Sequence, residues 1–217
     1  DAGCALLGGE TAEMPGLYVN KDFDLAGFAV GIVDRKKIID GSSIKDGDVI
    51  IGISSSGFHS NGYSLLRNVL FNDKGYKASD IFYDDVTVAE ALLIPTKIYA
   101  KVVQKVVSQV NVKGMVHITG GGFYDNIPRV LPKDISAEID VSAMEMPKVI
   151  KRFAEVSDID KHELYRVFNM GVGYIFVVSP EDKDNVIKAA QDAGEKAFII
   201  GKAVKGDNTV KIKGIDF

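Results

Sequence analysis

The feature that most constrains this chain is an alternation, from residue 47 onward, between apolar β-branched runs and stretches with helical spacing. Residues 47–54, GDVIIGIS, have the apolar content of a buried strand, whereas residues 61–70 carry leucine and valine at three- and four-residue steps. Such alternation is typical of a central sheet with helices on its faces. The fold class is therefore predicted to be α+β or α/β.

The individual elements follow from the same patterns. Strands are predicted at residues 47–54, 115–118, 136–141, 172–178 and 196–204. Helices are predicted at residues 61–70, 96–110, 123–131, 147–156, 161–168 and 180–193. A further buried strand is predicted at residues 24–34, DLAGFAVGIVD, because this apolar run is bounded by charged residues.

A candidate domain boundary follows this strand, where residues 40–43, DGSS, have the composition of a turn. Residues 1–40 are predicted to be the C-terminal end of an incomplete first domain, and residues 41–217 a complete second domain. The chain starts at Asp1 without a methionine or a signal-like segment, so we expect the natural polypeptide to extend further at its N-terminus.

Charge and cysteine content exclude several classes of partner. The 26 basic and 30 acidic residues give a net charge of −4, which argues against nucleic acid or an anionic membrane as the partner. No apolar run approaches the roughly 20 residues of a membrane-spanning helix. The single cysteine, Cys4, rules out an internal disulfide framework and is typical of a reducing, cytoplasmic environment.

Three consecutive glycines, Gly120, Gly121 and Gly122, lie between an apolar run and a predicted helix in residues 117–129, HITGGGFYDNIPR. A backbone without side chains can approach a bulky anion, and the free N–H groups of a helix start supply donors. The segment is therefore a candidate phosphate or substrate loop. A tight strand-to-helix turn without any ligand is the alternative.

A second candidate loop, residues 54–63, SSSGFHSNGY, combines hydroxyl groups, an imidazole, an amide and two glycines. His59 would suit proton transfer or phosphate contact near neutral pH if it faces a cleft. Ser60 or Asn61 could instead cap the following helix, and a lone histidine can be purely structural. The other two histidines lie in an apolar strand and on a predicted solvated helix face.

Two further segments carry residues of interest. Glu10 and Glu13 follow a glycine pair in residues 7–16, LGGETAEMPG, and carboxylates beside phosphates suit Mg²⁺. Thr11 could instead cap a short turn there. Residues 168–173, FNMGVG, could simply end a helix with an asparagine or glycine in the left-handed conformation. No segment matches the P-loop motif or a zinc-spaced set of Cys and His.

Taken together, five segments in order along the chain closely resemble the aminoimidazole ribonucleotide synthetase family. They are GGETAEMPG (8–16), DLAGFAVGIV (24–33), SSGFHSNGYSL (55–65), HITGGGFYDNIPRVLP (117–132) and FNMGVG (168–173). The resemblance implies a three-layer α/β/α C-terminal domain, preceded by the tail of an N-terminal α/β domain that pairs with a second subunit in a homodimer. It also implies ATP-dependent ring closure of formylglycinamidine ribonucleotide in purine biosynthesis, with ATP and Mg²⁺ as cofactors.

The resemblance implies roles for particular residues. His59 and Asn61 are the expected catalytic residues, and Glu10 and Thr11 are expected near the nucleotide, with Glu10 the candidate metal ligand. The expected substrate-binding residues are Ser56, Gly57, Ser60, Thr119, Gly120, Gly121, Gly122, Asn126 and Arg129.

The chain departs from the family's pattern at two positions: Lys97 stands where arginine is common, and Met170 where cysteine is common. Two other functions fit the residues: a related ATP-dependent enzyme that phosphorylates a different small acceptor, and a non-catalytic substrate-binding or dimerisation module.

Overall fold

A six-stranded mixed sheet forms the centre of the second of two units in this computed structural model, which describes residues 1–19, 22–142 and 144–215. The first unit comprises Gly3–Ile38 with Asp1, and the second runs from Ile39. Along the sheet the strands lie in the order β4, β6, β1, β7, β5, β8. The strands are β1 (Val49–Ser54), the hairpin strands β2 (Ile81–Tyr83) and β3 (Val86–Thr87), β4 (Gly114–His117), β5 (Ile135–Asp140), β6 (Val172–Val178), β7 (Ala197–Lys205) and β8 (Val210–Lys213).

Strand direction decides which loops meet. Strand β1 pairs antiparallel with both β6 and β7, and β4 pairs antiparallel with β6 on the other side. Strands β1 and β4 are therefore parallel to each other, and their carboxyl ends lie at the same edge of the sheet. Strand β6 begins at that edge, so the segment that enters β6 lies there as well.

Helices cover both faces of the sheet, which confirms the three-layer fold expected from the sequence. The helices are α1 (Tyr63–Arg67, continued by a π-helical turn at Asn68–Asp73), α2 (Val88–Leu92), α3 (Ala100–Gln109), α4 (Gly122–Asn126), α5 (Lys148–Val156), α6 (Lys161–Val167) and α7 (Lys183–Asp192). Alternate residues of β1 point to opposite faces: Ile50 packs in a core with α1 and α4 to α6, whereas Ile51 and Ile53 pack in a second core with α3 and α7. Both cores are closed to solvent.

The sequence patterns predict the five major strands well and the helix starts less well. Helix α3 begins at Ala100, four residues after the predicted Thr96, since residues 94–99 form a non-helical segment that lies along the histidine loop described below. The β2–β3 hairpin, helix α2 and strand β8 are absent from the sequence prediction. These elements are only two to five residues long, so even the alternation of β8, VKIK, is too short to distinguish it from a loop.

The predicted buried strand at residues 24–34 is wrong for the described structure. The described part of the first unit contains one regular element, a 3₁₀ helix at Arg35–Lys37, and the run is exposed, with Phe28 at 96% and Val30 at 97% of full exposure. An apolar run becomes a strand only when a neighbouring strand satisfies its N–H and C=O groups. No described residue forms a strand pair with the run at residues 24–34.

Candidate functional site

Three loops meet at the edge of the sheet where β1 and β4 end. We call them the histidine loop (residues 55–62, between β1 and α1), the glycine loop (residues 118–122, between β4 and α4) and the asparagine loop (residues 168–171, between α6 and β6). A backbone hydrogen bond from Ser55 N to Gly171 O at 2.9 Å joins the histidine and asparagine loops, and one from Ile118 N to Gly173 O at 2.9 Å joins the glycine loop to β6. A methyl group built on Gly120 would lie 3.6 Å from Asn61 Oδ1, so the first two loops approach each other at this point.

Asn169 holds the histidine loop in place. Its side chain is 2% exposed; Nδ2 donates to Gly57 O at 2.8 Å, and Oδ1 accepts from Ser55 Oγ and from Gly171 N, each at 2.9 Å. Each polar atom of this buried amide is thus satisfied. Because the asparagine loop fixes the histidine loop, the segment interpreted as a plain helix end in the sequence also has a structural role in the site.

Hydroxyl groups of the histidine loop join it to the segment before α3. Ser56 Oγ donates to Pro95 O at 2.8 Å, and Ser60 Oγ lies 2.8 Å from Thr96 Oγ1. Ser60 does not cap α1, whose N-cap position is Gly62 in the left-handed conformation with no side-chain capping bond. The capping alternative for Ser60 and Asn61 is therefore not what the structure shows.

His59 is the most unusual residue of the loop. It is 3% exposed and has a φ of 59°, a left-handed conformation that costs a non-glycine residue about 1–2 kcal/mol. Its Nε2 accepts a long bond of 3.4 Å from Ser56 N, while the buried Nδ1 has no hydrogen-bond partner among the described residues. A strained, buried and partly unsatisfied imidazole in a loop marks a candidate functional residue.

The surroundings of His59 keep its imidazole neutral. Burial, followed by the positive charges of His117 and Lys97, lowers the pKa of His59 to about 4. The ring centroid lies 5.9 Å from that of Tyr99 and 6.3 Å from that of His117. Gly173 makes room for this cluster, since a methyl group there would lie 2.0 Å from Tyr99 Oη and 2.6 Å from His59 Cε1. At neutral pH His59 therefore acts as a hydrogen-bonding group without charge.

Lys97 is tethered beside the histidine loop. Its Nζ donates to Glu195 Oε2 at 2.6 Å and to Ser54 Oγ at 3.1 Å, and Tyr99 Oη donates to Ser54 O at 3.1 Å. Both members of the ion pair are about four fifths buried. The ammonium group therefore fixes the end of β1 and is already paired with a carboxylate.

The glycine loop is held by Asn126. The Asn126 side chain is 2% exposed; its Oδ1 accepts from Thr119 N at 2.8 Å and from Thr119 Oγ1 at 3.0 Å, and its Nδ2 donates to Gly120 O at 3.0 Å. Thr119 and Asn126 thus shape the loop from within. Their polar groups face each other in the described structure.

The three glycines have different reasons to lack a side chain. Gly121 and Gly122 have φ values of 95° and 56°, and a methyl group would lie 2.6 Å from Asp125 Cβ or 2.0 Å from Tyr165 O, respectively. Both are therefore required by the fold. Gly120 is exposed, has no left-handed φ, and has room for a methyl group. Only at Gly120 does the fold leave the missing side chain unexplained.

Three predicted site residues are not part of the three loops. Arg129 is exposed within the 3₁₀ helix Ile127–Val130 and makes no hydrogen bond to the glycine loop among the described residues. Glu10 and Thr11 are exposed in the first unit and lie outside any helix or strand. The described residues contain no group of three or more His, Cys, Asp or Glu placed to hold a metal ion.

The sequence analysis missed several residues of the site. Tyr99 and the segment with Pro95 and Thr96 carry no motif, and only their contacts with the histidine loop across the fold reveal them. Asn169 lay within a noted segment but had no assigned role. No helix in the described ranges is both long and apolar enough to cross a bilayer.

The geometry defines a class: a three-layer α/β/α domain with a polar, glycine-containing site at the carboxyl ends of two parallel strands. The comparison with protein families then identifies the chain. It belongs to the AIR synthase related family, because the C-terminal domain of that family matches residues 45–213.

Curated relatives agree with this assignment. The chain is 49% identical over 217 residues to the phosphoribosylformylglycinamidine cyclo-ligase of Bacillus cytotoxicus, covering 99% of this chain and 62% of the relative. It is 50% identical over 214 residues to that of Clostridium acetobutylicum, covering 98% of this chain and 62% of the relative. The chain thus spans less than two thirds of the length of these relatives.

Solved structures show the same fold at lower identity. Thiamine-monophosphate kinase from Stenotrophomonas maltophilia superposes with a TM-score of 0.59 at 16% identity, covering 84% of this chain and 55% of that one. The hydrogenase maturation protein HypE of E. coli gives a TM-score of 0.52 at 18% identity, covering 81% and 49%. These likenesses support the fold alone.

Proposed function

We propose that this chain belongs to an ATP-dependent cyclo-ligase that closes formylglycinamidine ribonucleotide to 5-aminoimidazole ribonucleotide, releasing ADP and phosphate. The observation that carries the proposal is the identity of 49% and 50%, over nearly the whole chain, to proteins named phosphoribosylformylglycinamidine cyclo-ligase. The site supports it, because positioning and electrostatic stabilisation, which a polar loop cluster supplies, dominate phosphoryl transfer.

The proposed reaction has two steps. The formyl oxygen attacks the γ-phosphorus of ATP, the bond from phosphorus to the ADP oxygen breaks, and the formamide nitrogen loses its proton, so that an iminophosphate with a C=N bond forms. The amidine nitrogen then attacks the former formyl carbon and loses a proton, and the bond from carbon to the phosphate oxygen breaks. The first step converts a poor leaving oxygen into phosphate, so that ring closure becomes feasible.

The site suggests which residues take part. Gly120 offers open backbone beside Asn61, and we assign this point of contact to the transferring phosphoryl group. His59, neutral at physiological pH, is assigned to hydrogen bonding with the acceptor rather than to charge neutralisation. Thr119 and Asn126 are positioning residues for the glycine loop, while Ser56 and Gly57 hold the histidine loop.

The remaining expectations are also proposals. Mg²⁺ enters as the ion that accompanies ATP, with no ligand assigned among the described residues. Glu10 and Thr11 are proposed to lie near the nucleotide. A homodimer is supported by the exposed apolar run around Phe28, since a large apolar patch is typical of an interaction surface. A cytoplasmic location agrees with the single, exposed, free Cys4.

The direct test is aminoimidazole ribonucleotide formation from formylglycinamidine ribonucleotide and MgATP, with the complete gene product and residues 1–217 assayed in parallel. Product from the complete polypeptide supports the proposal. ATP consumption with another acceptor, and none with this substrate, would replace it by the related phosphoryl-transfer function.

Gly120→Ala is the sharpest variant for the site. The fold has room for this methyl group, so the melting temperature should stay within about 2 °C of wild type. Ligand approach to the loop should be blocked, with kcat/KM falling at least about tenfold, as for a lost charge-assisted contact. Gly122→Ala is the matched control, because it should lower stability through the contact with Tyr165 O. Full activity in a stable Gly120→Ala variant would contradict the assignment.

A further inference from the structure

A cavity of about 410 Å³ lies on the side of the histidine loop that faces the segment before α3. Its volume falls within the range of small-molecule sites. No residue of the glycine loop lines it. The lining residues are His59, Ser60, Tyr63, Leu92, Leu93, Ile94, Pro95 and Thr96.

The lining has no formal charge at neutral pH. Four consecutive residues, from Leu92 to Pro95, form an apolar wall, and the polar groups are the hydroxyls of Ser60, Tyr63 and Thr96 and the imidazole of His59. A phosphate group would enter such a space without a cation to replace its hydration, which is unfavourable. The cavity therefore suits an uncharged group that can accept and donate hydrogen bonds.

The cavity wall is held by specific bonds on both sides. Tyr63 Oη donates to Leu92 O, and Ser56 Oγ donates to Pro95 O at 2.8 Å. The hydroxyls of Ser60 and Thr96 lie 2.8 Å apart, and either can be the donor. Since one proton lies between the two oxygens, the second proton is available to a ligand.

His59 supplies a second, independent feature. Because its Nε2 accepts the bond from Ser56 N, the neutral ring carries its proton on Nδ1. That N–H group is buried and has no acceptor among the described residues. A buried donor without an acceptor is costly, and a ligand carbonyl oxygen would remove the cost.

We propose that this cavity binds the uncharged amide arm of the acceptor substrate, with the carbonyl oxygen accepting from His59 Nδ1 and the amide contacting the hydroxyl pair of Ser60 and Thr96. This inference rests on the proposed function, in which the acceptor carries a formamide group. His59 and Asn61 belong to one loop, and the Asn61 side chain lies where a methyl group on Gly120 would meet it at 3.6 Å. An acceptor amide bound by His59 would thus lie on the loop whose Asn61 approaches Gly120, the residue assigned to the phosphoryl group.

Binding of the amide arm alone tests the cavity without any assay of turnover. N-formylglycinamide is titrated into this 217-residue chain while the imidazole signals of its three histidines are followed by NMR. We expect a saturable shift of the His59 signals, with the Nδ1-protonated tautomer at the start. Thr96→Val keeps the side-chain shape and removes the hydroxyl, so the affinity should fall about fivefold.

Two more variants complete the design. Leu93→Trp should fill the cavity and abolish the shift, because Leu93 lies at its wall and is 77% exposed. Ser108→Ala is the matched control for the loss of a hydroxyl, since Ser108 lies on the exposed surface of α3 and donates to Lys105 O within the helix. The inference is overturned if His59 shows no saturable shift, or if the shift persists unchanged in both cavity variants.

Turnover by the complete gene product separates this inference from the proposed function. Thr96→Val should raise the KM for formylglycinamidine ribonucleotide about fivefold and leave kcat within about twofold. A loss of affinity for MgATP instead would place the nucleotide base in the cavity and overturn the inference. Wild-type enzyme that binds N-formylglycinamide but makes no aminoimidazole would refute the proposed function alone.

Discussion

The two edges of the central sheet differ in how one buried ionisable side chain is satisfied. At the amino ends of β1 and β4, Asp48 is fully buried; its Oδ1 lies 2.6 Å from Lys113 Nζ, and its Oδ2 accepts from Lys45 N at 2.8 Å. At the carboxyl ends, His59 is equally inaccessible, yet its Nδ1 has no partner among the described residues and its backbone is left-handed. The carboxyl edge thus keeps one unsatisfied buried group beside the satisfied amides of Asn126 and Asn169.

The difference separates stability from function. A buried ion pair whose hydrogen bonds are all made leaves no polar group unpaired. Removing one partner leaves the other charge buried and unpaired, which strongly destabilises the fold. An unsatisfied imidazole in a strained loop costs the fold free energy that only a ligand recovers. Substitutions at the amino edge should therefore act on unfolding, and substitutions at the carboxyl edge should act on binding and turnover.

The largest expected effect is at the amino edge. Asp48→Ala leaves the Lys113 ammonium group 11% exposed and unpaired, and the free energy of unfolding should fall by about 3–5 kcal/mol. Urea denaturation measures this. In the double variant Asp48→Ala, Lys113→Met most of the loss should be recovered, because no unpaired charge remains. A loss that is the same in both variants would show that packing, and not charge, matters at this edge.

His59→Ala should reverse the pattern. The complete enzyme should lose at least about a hundredfold in kcat/KM, roughly 2.7 kcal/mol, if His59 contacts the acceptor in the transition state. His162→Ala, an exposed histidine on α6, is the control and should retain activity. Turnover and substrate affinity within about twofold of wild type for His59→Ala would remove His59 from the site.

Asn169→Ala should combine both effects. It removes the amide that joins Ser55, Gly57 and Gly171, leaving buried polar groups unpaired, and should cost about 2 kcal/mol of stability. The displaced histidine loop should also lower kcat/KM. If calorimetry shows the stability loss while activity is unchanged, Asn169 is a structural residue only. The asparagine loop then does not position the histidine loop for activity.

The smallest predicted effect is a pH dependence of stability. The pKa of His59 is about 4 in the folded chain and ordinarily 6.5, so the unfolded state binds a proton that the folded state does not. Stability is therefore lost as the pH falls through the window from 6.5 to about 4. Between pH 6 and pH 5 the loss should be about 1 kcal/mol. In His59→Asn this contribution to the pH dependence should be absent, and asparagine tolerates the left-handed conformation. If the free energy of unfolding falls equally steeply with pH in wild type and variant, the burial of a neutral imidazole is contradicted.

Much of the fold could be predicted because burial leaves a periodic trace in the sequence. The β1 run, with Ile50, Ile51 and Ile53, predicts a strand buried on both faces, and the structure places those residues in two cores. The run at residues 24–34 has an equally clear pattern, yet it is not a strand here. Its apolar pattern favours burial. Whether a neighbouring strand satisfies its N–H and C=O groups depends on the tertiary structure.

The site divides in the same way. Sequence chemistry alone pointed to the glycine triplet and to the loop of His59, since glycine, hydroxyl and imidazole groups are rarely concentrated in a turn without a reason. It could not tell that Gly121 and Gly122 serve the fold while Gly120 is free, that Asn169 anchors the histidine loop, or that residues 92–96 wall a cavity. Those facts depend on strand order: β6 lies between β1 and β4, so three distant loops reach one edge of the sheet. The sequence determined which groups the protein brings to its site, and the tertiary structure decided which of them remain unpaired and able to bind.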